Sequence, residues 1–494
     1  MKGANLVVLA LTLACGSAFA TYASAPGIED LSPVEDPGLY AELVAMLERE
    51  AGTRLTHHLQ ERGKLRQVTI GIVIEPRKHR MVVNFGPGYL PGKEDSYGEL
   101  FLEPLAADLR RYSERSGMGF LDVTFLFQGK SMEEHFPDDH PQPALATPRS
   151  AHSKALVSSS HGYIALHPGR EWEFQRPSPL GLQEDVLSPM YGDALEDLLE
   201  QRSGLVVYRA RSRSAEPHPE AAHPWEHMSA RYHLKALFPD RADIWNEFPN
   251  SPDSDREVKE DIRARPNYAN HLAVDVMLSL HTNGSDSAST RGTEVYYHQA
   301  KPQDKALADS ILCSMREVIR AQPGYQDFPL RESSNAGAHG ENRIGKMPSV
   351  IVETAYHSNP DDVAALQDPV FRSASMKGVE KGYRLWATGK TCEPLALHPI
   401  PDIDVPIQAA RDVELGYAGN PQYPLSVELS LASCSEAGAC TPWATTFDDP
   451  AKPLTINLAC NGPSPGVARW SVVLRDADGV ATTPVEFSQA CVRA

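Results

Sequence analysis

Three polar residues stand at the ends of apolar, β-prone runs of the sequence. They are His161 after the run 154–160, His281 after 274–280 and Glu353 near the end of 349–354. In an open α/β sheet the ligand site forms outside the carboxyl ends of the strands. A single histidine usually only satisfies a hydrogen bond, but imidazole and carboxylate groups gathered at one edge can bind a metal or transfer protons. The pattern therefore predicts a functional site built from these three residues.

The runs that carry these residues alternate with helical stretches. Strands are predicted over 154–160, 205–210, 274–280, 292–298 and 349–354, and helices over 185–201, 304–320 and 369–387. This alternation is typical of a mostly parallel sheet that is covered by helices on both faces. We therefore predict an α/β domain over 152–392, with the site at the carboxyl edge of its sheet.

The region before this domain, 27–136, has the pattern of a small α+β module. Helices are predicted over 39–62 and 100–115, and strands over 68–74, 81–85 and 120–127. No residue set in it suggests chemistry, so we interpret it as a binding or spacer module. The next segment, 137–151, contains four prolines and is predicted to be a linker.

The last hundred or so residues, 393–494, lack a helical pattern. Apolar strands are predicted over 425–431, 454–458 and 470–474, and Gly-, Pro- and Asp-rich turns separate them. This favours a β-sandwich-like domain. Residues 476–479 (DADG) are predicted to form a hairpin turn, because no Glu completes a calcium loop at the required offset.

The first residues have the pattern of an export signal. Lys2 supplies a positive charge, an apolar stretch follows over 6–14, and 18–20 (AFA) forms a small-x-small cleavage site. The apolar stretch has about half of the roughly 20 residues that a membrane-spanning helix needs. We predict that residues 1–20 are removed and that the protein acts in the periplasm or cell envelope. A lipid anchor on Cys15 is the alternative.

Charge and cysteine content fit an exported protein. The formal net charge of −18 argues against a nucleic-acid partner, since affinity for phosphate backbones comes from clustered Lys and Arg. Of 7 cysteines, six remain after cleavage, and an even number in an exported chain suggests disulfides. Six cysteines allow 15 pairings. Local spacing favours Cys434–Cys440 and Cys460–Cys491, which leaves Cys313–Cys392 to close the α/β domain.

The most specific motif is 347–362, MPSVIVETAYHSNPDD. It resembles the pattern Pro-x-x-aliphatic-x-Glu-x-aromatic-x-Ser-Asn of the zinc-dependent N-acetylmuramoyl-L-alanine amidases (amidase type 3). Further matches are RPNYAN at 265–270, SLHTN at 279–283 and GTEVY at 292–296. The resemblance covers 154–386.

This resemblance implies a peptidoglycan hydrolase that cleaves the amide between N-acetylmuramic acid and the L-alanine of the stem peptide. It implies Zn²⁺ as the cofactor, with His161, Glu184 and His281 as metal ligands, and Glu353 as the catalytic glutamate. Two imidazoles, one carboxylate and an open fourth position are the usual composition of a catalytic zinc site. Peptidoglycan is the implied partner.

The sequence departs from the family pattern in two places. The family usually has an acidic residue before the first histidine and two glycines after it, whereas the run here is SSSHGY at 158–163. Glu171, Glu173 and Asp185 compete with Glu184 for the second ligand position. The long insertion 211–260 is interpreted as a lid or regulatory segment, on which a regulatory envelope protein could act.

Other functions stay open at this point. A zinc carboxypeptidase would need His-x-x-Glu at the first ligand, and position 164 is Ile. Another amidohydrolase of similar shape is the second alternative. The third is an inactive, exported wall-binding protein, although inactive versions normally lose a ligand or the catalytic glutamate and all four residues are present here.

Overall fold

The computed structural model describes residues 37–61, 63–64, 66–92, 98–119, 121–137, 153–167, 171–435 and 440–493. The predicted signal segment 1–20, Cys15 and most of the predicted linker 137–151 lie outside these residues. Among the helices that are described, none is long and apolar enough to cross a membrane.

The N-terminal module is a three-stranded sheet covered by two long helices. Its strands have the order β1-β2-β3, with β1 and β2 antiparallel and β2 and β3 parallel. The predicted helices and strands are confirmed, with bounds that differ by no more than two residues. Its elements are α1 (Pro37–Glu61), β1 (Ile70–Glu75), β2 (Arg80–Phe85), α2 (Glu99–Arg115), β3 (Asp122–Phe127) and α3 (Met132–His135).

The α/β domain is built on a six-stranded sheet with the order β10-β9-β11-β8-β4-β7. Every neighbouring pair is parallel except β9 and β11, so the predicted mostly parallel sheet is confirmed. The strands of the whole domain, two of which lie outside this sheet, are β4 (Lys154–Ser159), β5 (Tyr163–Ala165), β6 (Trp172–Phe174), β7 (Val206–Arg209), β8 (Val276–Asn283), β9 (Glu294–Tyr297), β10 (Asn335–Ala336) and β11 (Ser349–Tyr356). Its helices are α4 (Glu184–Ser203), α5 (Ala230–Leu237), α6 (Ala242–Trp245), α7 (Arg256–Leu272), α8 (Pro302–Arg320), α9 (Gly340–Ile344), α10 (Pro360–Gln367) and α11 (Pro369–Thr388).

Helices cover both faces of this sheet, as predicted. Val157 and Leu278 pack in the core that contains apolar residues of α4, α8 and α11. Leu156 and Met277, each one residue away along its strand, pack instead against apolar residues of α5, α6 and α7. Because neighbouring side chains of a strand point to opposite faces, each strand contributes to both cores. The sheet is therefore fixed from two sides, which holds its carboxyl edge rigid.

The insertion 211–260 is only partly a surface segment. In its second half, Ala230, Leu234 and Ile244 are at most 2% exposed and belong to the core under the sheet. The prediction of a lid is therefore wrong for 230–245, because α5 and α6 supply apolar side chains that the second face of the sheet needs. The preceding residues 212–227 form mostly exposed turns near β5, and the buried residues Arg211 and Met228 lie at their two ends.

The C-terminal region is all-β in the residues that the structure describes. A five-stranded sheet, β13-β20-β19-β16-β17, and the pair β14-β18 contribute to one core, which gives the predicted sandwich-like arrangement. The elements are β12 (Ala396–Leu397), β13 (Ile403–Pro406), β14 (Ala410–Glu414), β15 (Tyr417–Ala418), β16 (Leu425–Cys434), β17 (Trp443–Phe447), β18 (Thr455–Ala459), β19 (Gly466–Arg475) and β20 (Val485–Val492). The disulfides are the pairs that local spacing favoured: Cys313–Cys392, Cys434–Cys440 and Cys460–Cys491.

The C-terminal sheet and the α/β domain share one continuous hydrophobic core. The turn predicted at 476–479 is present, and its Asp478 accepts two hydrogen bonds of 2.9 Å from the guanidinium of Arg202 on α4. Gln322, just beyond α8, donates to the Asp478 carbonyl at 2.9 Å. The sequence pattern predicted two separate units here, but these contacts dock the β domain on the helices of one sheet face.

Candidate active site

Strand register brings the predicted site residues to one edge of the sheet. β4, β8 and β11 are neighbours, and Glu353 of β11 is paired with His281 of β8. His161 follows the last residue of β4, Ser159, which is paired with Leu280. One ligand atom from each of His161, Glu184 and His281 lies within 4.8 Å of the others. Within the described residues, this is the one group of three or more His, Cys, Asp or Glu side chains arranged to hold a metal ion.

Glu184 lies between the two imidazoles. It is the first residue of α4, and its Oε1 lies 3.5 Å from His161 Nε2 and 3.6 Å from His281 Nδ1. The same oxygen accepts hydrogen bonds of 2.9 Å from Ser160 Oγ and from the backbone N–H of Thr282. These donors fix the carboxylate from the two strands that carry the histidines.

The three competing carboxylates do not face the histidines in this way. Glu171 and Glu173 are exposed on the hairpin of β5 and β6. Asp185 is buried, but its Oδ1 accepts hydrogen bonds from the backbone N–H of Gly162 at 2.7 Å and of Gln175 at 3.1 Å. Asp185 therefore holds the backbone next to His161, in place of the acidic residue that is missing before the histidine.

The turn at His161 has an unusual backbone. His161 has φ of 58° and Gly162 has φ of 129°, both in the region that L side chains rarely adopt. A Cβ on Gly162 would lie 2.5 Å from the backbone nitrogen of Ser229, so only glycine fits there. Burial, together with the charges of nearby residues such as Arg176, holds the pKa of His161 well below its usual range. The imidazole is therefore neutral near pH 7, the form that binds metals.

His281 has a carboxylate on its far side that sequence reasoning missed. Its Nε2 lies 3.0 Å from Oε1 of Glu341 on α9, and that oxygen also accepts a hydrogen bond of 2.5 Å from Arg265. Arg265 and Glu341 are at most 1% exposed. Arg265 belongs to the RPNYAN motif at 265–270, but no local sequence pattern indicates that Glu341 is its partner.

Glu353 is buried beside this group and is 8% exposed. Its Oε2 makes no hydrogen bond to any residue that the structure describes. Burial raises the pKa of its carboxyl well above the usual value, and the carboxylates of Glu184, Glu294 and Glu341 add to this. A carboxyl group of this kind is suited to accept and release a proton.

Glu294, the neighbour of Glu353 on β9, is held by four donors, one of which is Asn335 Nδ2 at 2.9 Å. Its carboxylate accepts hydrogen bonds from Arg331 Nε at 2.8 Å, Tyr356 Oη at 2.9 Å and Tyr296 Oη at 2.7 Å. Tyr296 in turn accepts a hydrogen bond of 3.1 Å from Arg110 of the N-terminal module. The module is therefore connected to the strands that carry the site.

The surface turns of the insertion lie on the His161 side of the site. Arg211 donates to the Ser160 carbonyl at 2.8 Å and to the Met228 carbonyl at 3.0 Å. The ring of His223 lies 4.0 Å from the ring of Tyr163, between centroids. This packing joins residues 211–228 to the strand end that presents His161.

Comparisons with known proteins agree with the motif. Residues 250–383 match the family model of N-acetylmuramoyl-L-alanine amidase. The N-acetylmuramoyl-L-alanine amidase LytC of Bacillus subtilis (strain 168) is 32% identical over 124 residues, which are 24% of this chain and 23% of LytC. The probable cell wall amidase LytH of Staphylococcus aureus is 27% identical over 116 residues, 23% of this chain and 35% of LytH. The alignments thus span about a quarter to a third of these relatives.

A solved structure is similar over a longer stretch. The catalytic domain of CwlV, an N-acetylmuramoyl-L-alanine amidase from Bacillus (Paenibacillus) polymyxa var. colistinus, covers 48% of this chain and 99% of its own, with a TM-score of 0.32 and 18% identity. His161 and Glu184 lie outside the segment that the family model matches, and their place in the site comes from the geometry described above. Residues 250–383, which carry His281 and Glu353, belong to the N-acetylmuramoyl-L-alanine amidase family.

Proposed function

We propose that the chain hydrolyses the amide between N-acetylmuramic acid and the L-alanine of the peptidoglycan stem peptide. His161, Glu184 and His281 would hold Zn²⁺, and Glu353 would be the catalytic acid and base. The observation that carries this proposal is the convergence of three metal-ligating side chains next to a buried carboxyl on the neighbouring strand.

The donor set fits a catalytic zinc ion. Glu184 Oε1 lies within 3.6 Å of a nitrogen of each histidine, and both histidines and the glutamate are fixed by the sheet or by hydrogen bonds to it. Two imidazoles and one carboxylate leave a coordination position for substrate, as expected of a catalytic site. When bound, zinc supplies Lewis-acid chemistry that polarises the scissile carbonyl and makes water more acidic.

In this proposal, Glu353 carries the proton of the reaction. It would take a proton from the attacking water, whose oxygen forms the new bond to the carbonyl carbon. It would then deliver that proton to the amide nitrogen, so that the C–N bond breaks and a neutral amine leaves. The raised pKa supports this exchange, because a carboxylate with that property accepts a proton more readily near neutral pH.

The site of action is proposed to be outside the cytoplasmic membrane. Three disulfides are typical of proteins that fold in an oxidising compartment. The signal-like residues 1–20 agree with export. The peptidoglycan substrate is found in that compartment.

The test is release of stem peptide from purified sacculi by the zinc-loaded protein. We expect the wild type to release free peptide and Glu353→Gln to be slower by about 100-fold or more, because general acid–base catalysis contributes about that much. Glu171→Gln, which removes an exposed carboxylate on the β5–β6 hairpin, is the matched control and should keep full activity. Equal rates for wild type and Glu353→Gln would contradict the proposed mechanism.

The surface turns 212–227 are proposed to be the regulatory part of the insertion. Arg211 ties them to the Ser160 carbonyl, one residue before the proposed ligand His161. A regulatory envelope protein that moves these turns would change access to that side of the site. The core helices α5 and α6 have no part in this proposal.

A further inference from the structure

A cleft of about 290 Å³ lies between the N-terminal module and the α/β domain. The end of α2 forms one wall, and the segments 289–293 and 329–331 form the other. Its lining contains four arginines, Arg111, Arg115, Arg291 and Arg331, and one carboxylate, Glu114. The formal net charge of the whole chain, by contrast, is −18.

Contacts with neighbouring side chains hold these guanidinium groups without using all their donors. Arg111 donates to Asp108 and Ser285, and the one hydrogen bond of Arg115 within the described residues goes to Ser287. A guanidinium carries five N–H donors, so most of those on Arg115 are available to a ligand. The Nε of Arg111 is buried, so Arg111 can offer only its remaining terminal N–H groups.

The arginines on the opposite wall have closer partners. Arg291 donates to Asp361 and Asp362, and Arg331 is paired with Glu114 and Glu294. Each of these two arginines thus has two acidic partners, so neither contributes a net positive charge. The carboxylates of Asp362 and Glu294 are at most 3% exposed, which places them behind the guanidinium groups rather than in the cleft.

One wall of the cleft is hydrogen-bonded to the strand that carries Glu353. Thr293, which lines it, donates from its hydroxyl to the carbonyl of Thr354, the residue after Glu353. The backbone N–H of Arg331 donates to the Thr293 carbonyl at 3.1 Å. Arg331 is thus two strand positions from Glu353, or about 10 Å at the usual spacing of neighbouring strands. An extended peptide covers that distance in about three residues.

We propose that this cleft binds the free carboxylates of the stem peptide, on the residues that follow the scissile alanine. This inference rests on the proposed amidase function. Guanidinium groups bind carboxylates through charge-assisted and often bidentate hydrogen bonds, so Arg115, with the remaining donors of Arg111 beside it, matches an acidic peptide. Because Arg111 and Arg115 come from the N-terminal module, that module contributes directly to substrate binding.

The test compares two substrates of equal length. One is N-acetylmuramoyl-L-alanyl-γ-D-glutamyl-L-lysine, and the other is the same compound with both peptide carboxylates amidated. We expect the wild type to favour the carboxylate form by about 10-fold in kcat/KM, mainly through KM, which corresponds to one good charge-assisted contact. The preference should fall to about 3-fold or less in Arg115→Gln and should weaken at high salt.

Arg475→Gln is the matched control. Arg475 is on β19 in the C-terminal sheet and is paired with Glu428, so this variant removes the same charge far from the cleft and should keep the 10-fold preference. A wild type that cleaves both substrates equally would overturn the cleft proposal and leave the amidase proposal standing. A preference that persists in the double variant Arg111→Gln/Arg115→Gln would also overturn it.

If the wild type cleaves neither substrate, the amidase proposal fails, and calorimetric binding of the free tripeptide L-alanyl-γ-D-glutamyl-L-lysine decides the role of the cleft. Binding that is lost in Arg115→Gln and kept in Arg475→Gln would retain the cleft as a site for acidic peptides. Absence of binding would overturn that as well.

Discussion

Among single residues, Glu341 does most to set the state of His281. Burial opposes the charge of its carboxyl, but Arg265 and His281 lower its pKa to about 2. An ionised carboxylate can only accept hydrogen bonds, so Nε2 of His281 must donate to it. Nδ1 of His281 then presents a lone pair on the side of Glu184, where the metal is proposed to bind.

We expect Glu341→Gln to weaken zinc binding by about 10-fold, since residues that orient metal-ligating histidines contribute at least that much. The amide oxygen of the introduced glutamine can still accept a hydrogen bond from Nε2 of His281. Because the amide is uncharged, it no longer favours the tautomer in which Nε2 carries the proton. Competition with a chromophoric chelator measures the affinity for zinc. Glu171→Gln, which also removes one negative charge, is the control. Unaltered affinity in Glu341→Gln would show that Glu341 has no part in the metal site.

The same carboxylate predicts a pH dependence of stability. Its folded pKa of about 2 is below the usual value of 4.5, so its ionisation stabilises the fold above pH 4.5, and this stabilisation is lost as pH falls from 4.5 to 2. Glu341→Gln should therefore lower the free energy of unfolding of the metal-free protein by about 3 kcal/mol at pH 7. The difference should shrink toward pH 3. Denaturant unfolding at both pH values tests this, and a constant difference would refute it.

The sheet-edge position of three proposed site residues could be predicted because its signal is local in the sequence. His161, His281 and Glu353 each end an apolar run, and that is enough to place them at one sheet edge. The position of Glu184 came from the family resemblance, because three other carboxylates were equally plausible by pattern. Glu341 lies 60 residues from His281 in the chain, and no local pattern indicates a contact across such a separation.

At the scale of elements, the insertion 211–260 consists of two parts with different roles. Residues 230–245 are core, whereas 212–227 are surface turns that Arg211 and Met228 connect to the site edge. The sequence predicted one insertion over 211–260. It could not separate the two parts, because the short helices α5 and α6 become recognisable as core only when the sheet face they cover is known.

We expect replacement of 213–226 by a short Gly-Ser linker to raise hydrolysis of sacculi several-fold, because these turns pack against the β5–β6 hairpin beside His161. The variant keeps Arg211 and the core residues, so its melting temperature should change little. Leu234→Ala is the contrasting variant, since loss of a fully buried leucine costs about 2 to 5 kcal/mol. Unchanged hydrolysis by the linker variant would rule out a restraining role.

The N-terminal module acts on β9 through Arg110. This arginine is buried and donates to Tyr296 Oη and, at 3.0 Å, to the carbonyl of Ala336. We expect Arg110→Met to lower kcat with little change in KM, because Tyr296 helps to hold Glu294 next to Glu353. Steady-state kinetics test this, with the exposed Arg49→Met as the control. A change in KM alone would mean that Arg110 does not position the site.

At the scale of the whole molecule, the class and order of the structural units followed from the sequence. The α+β, α/β and all-β regions have distinct periodicities, and local cysteine spacing indicated the disulfide pairs. The docking of the units did not follow, because it depends on contacts between distant residues, such as Arg202 with Asp478 and Arg331 with Glu114. The N-terminal module and the C-terminal β domain are therefore packed against the α/β domain rather than connected to it only through the chain.

The most direct measurement is zinc content and peptide release determined on the same samples of wild type, Glu353→Gln and His281→Ala. We expect one zinc ion per chain in the wild type and in Glu353→Gln, and release of stem peptide only by the wild type. His281→Ala should lose most of its zinc and its activity, because it removes a ligand. Full zinc occupancy in a folded His281→Ala, or release by Glu353→Gln at the wild-type rate, would contradict the site and the mechanism proposed for this chain.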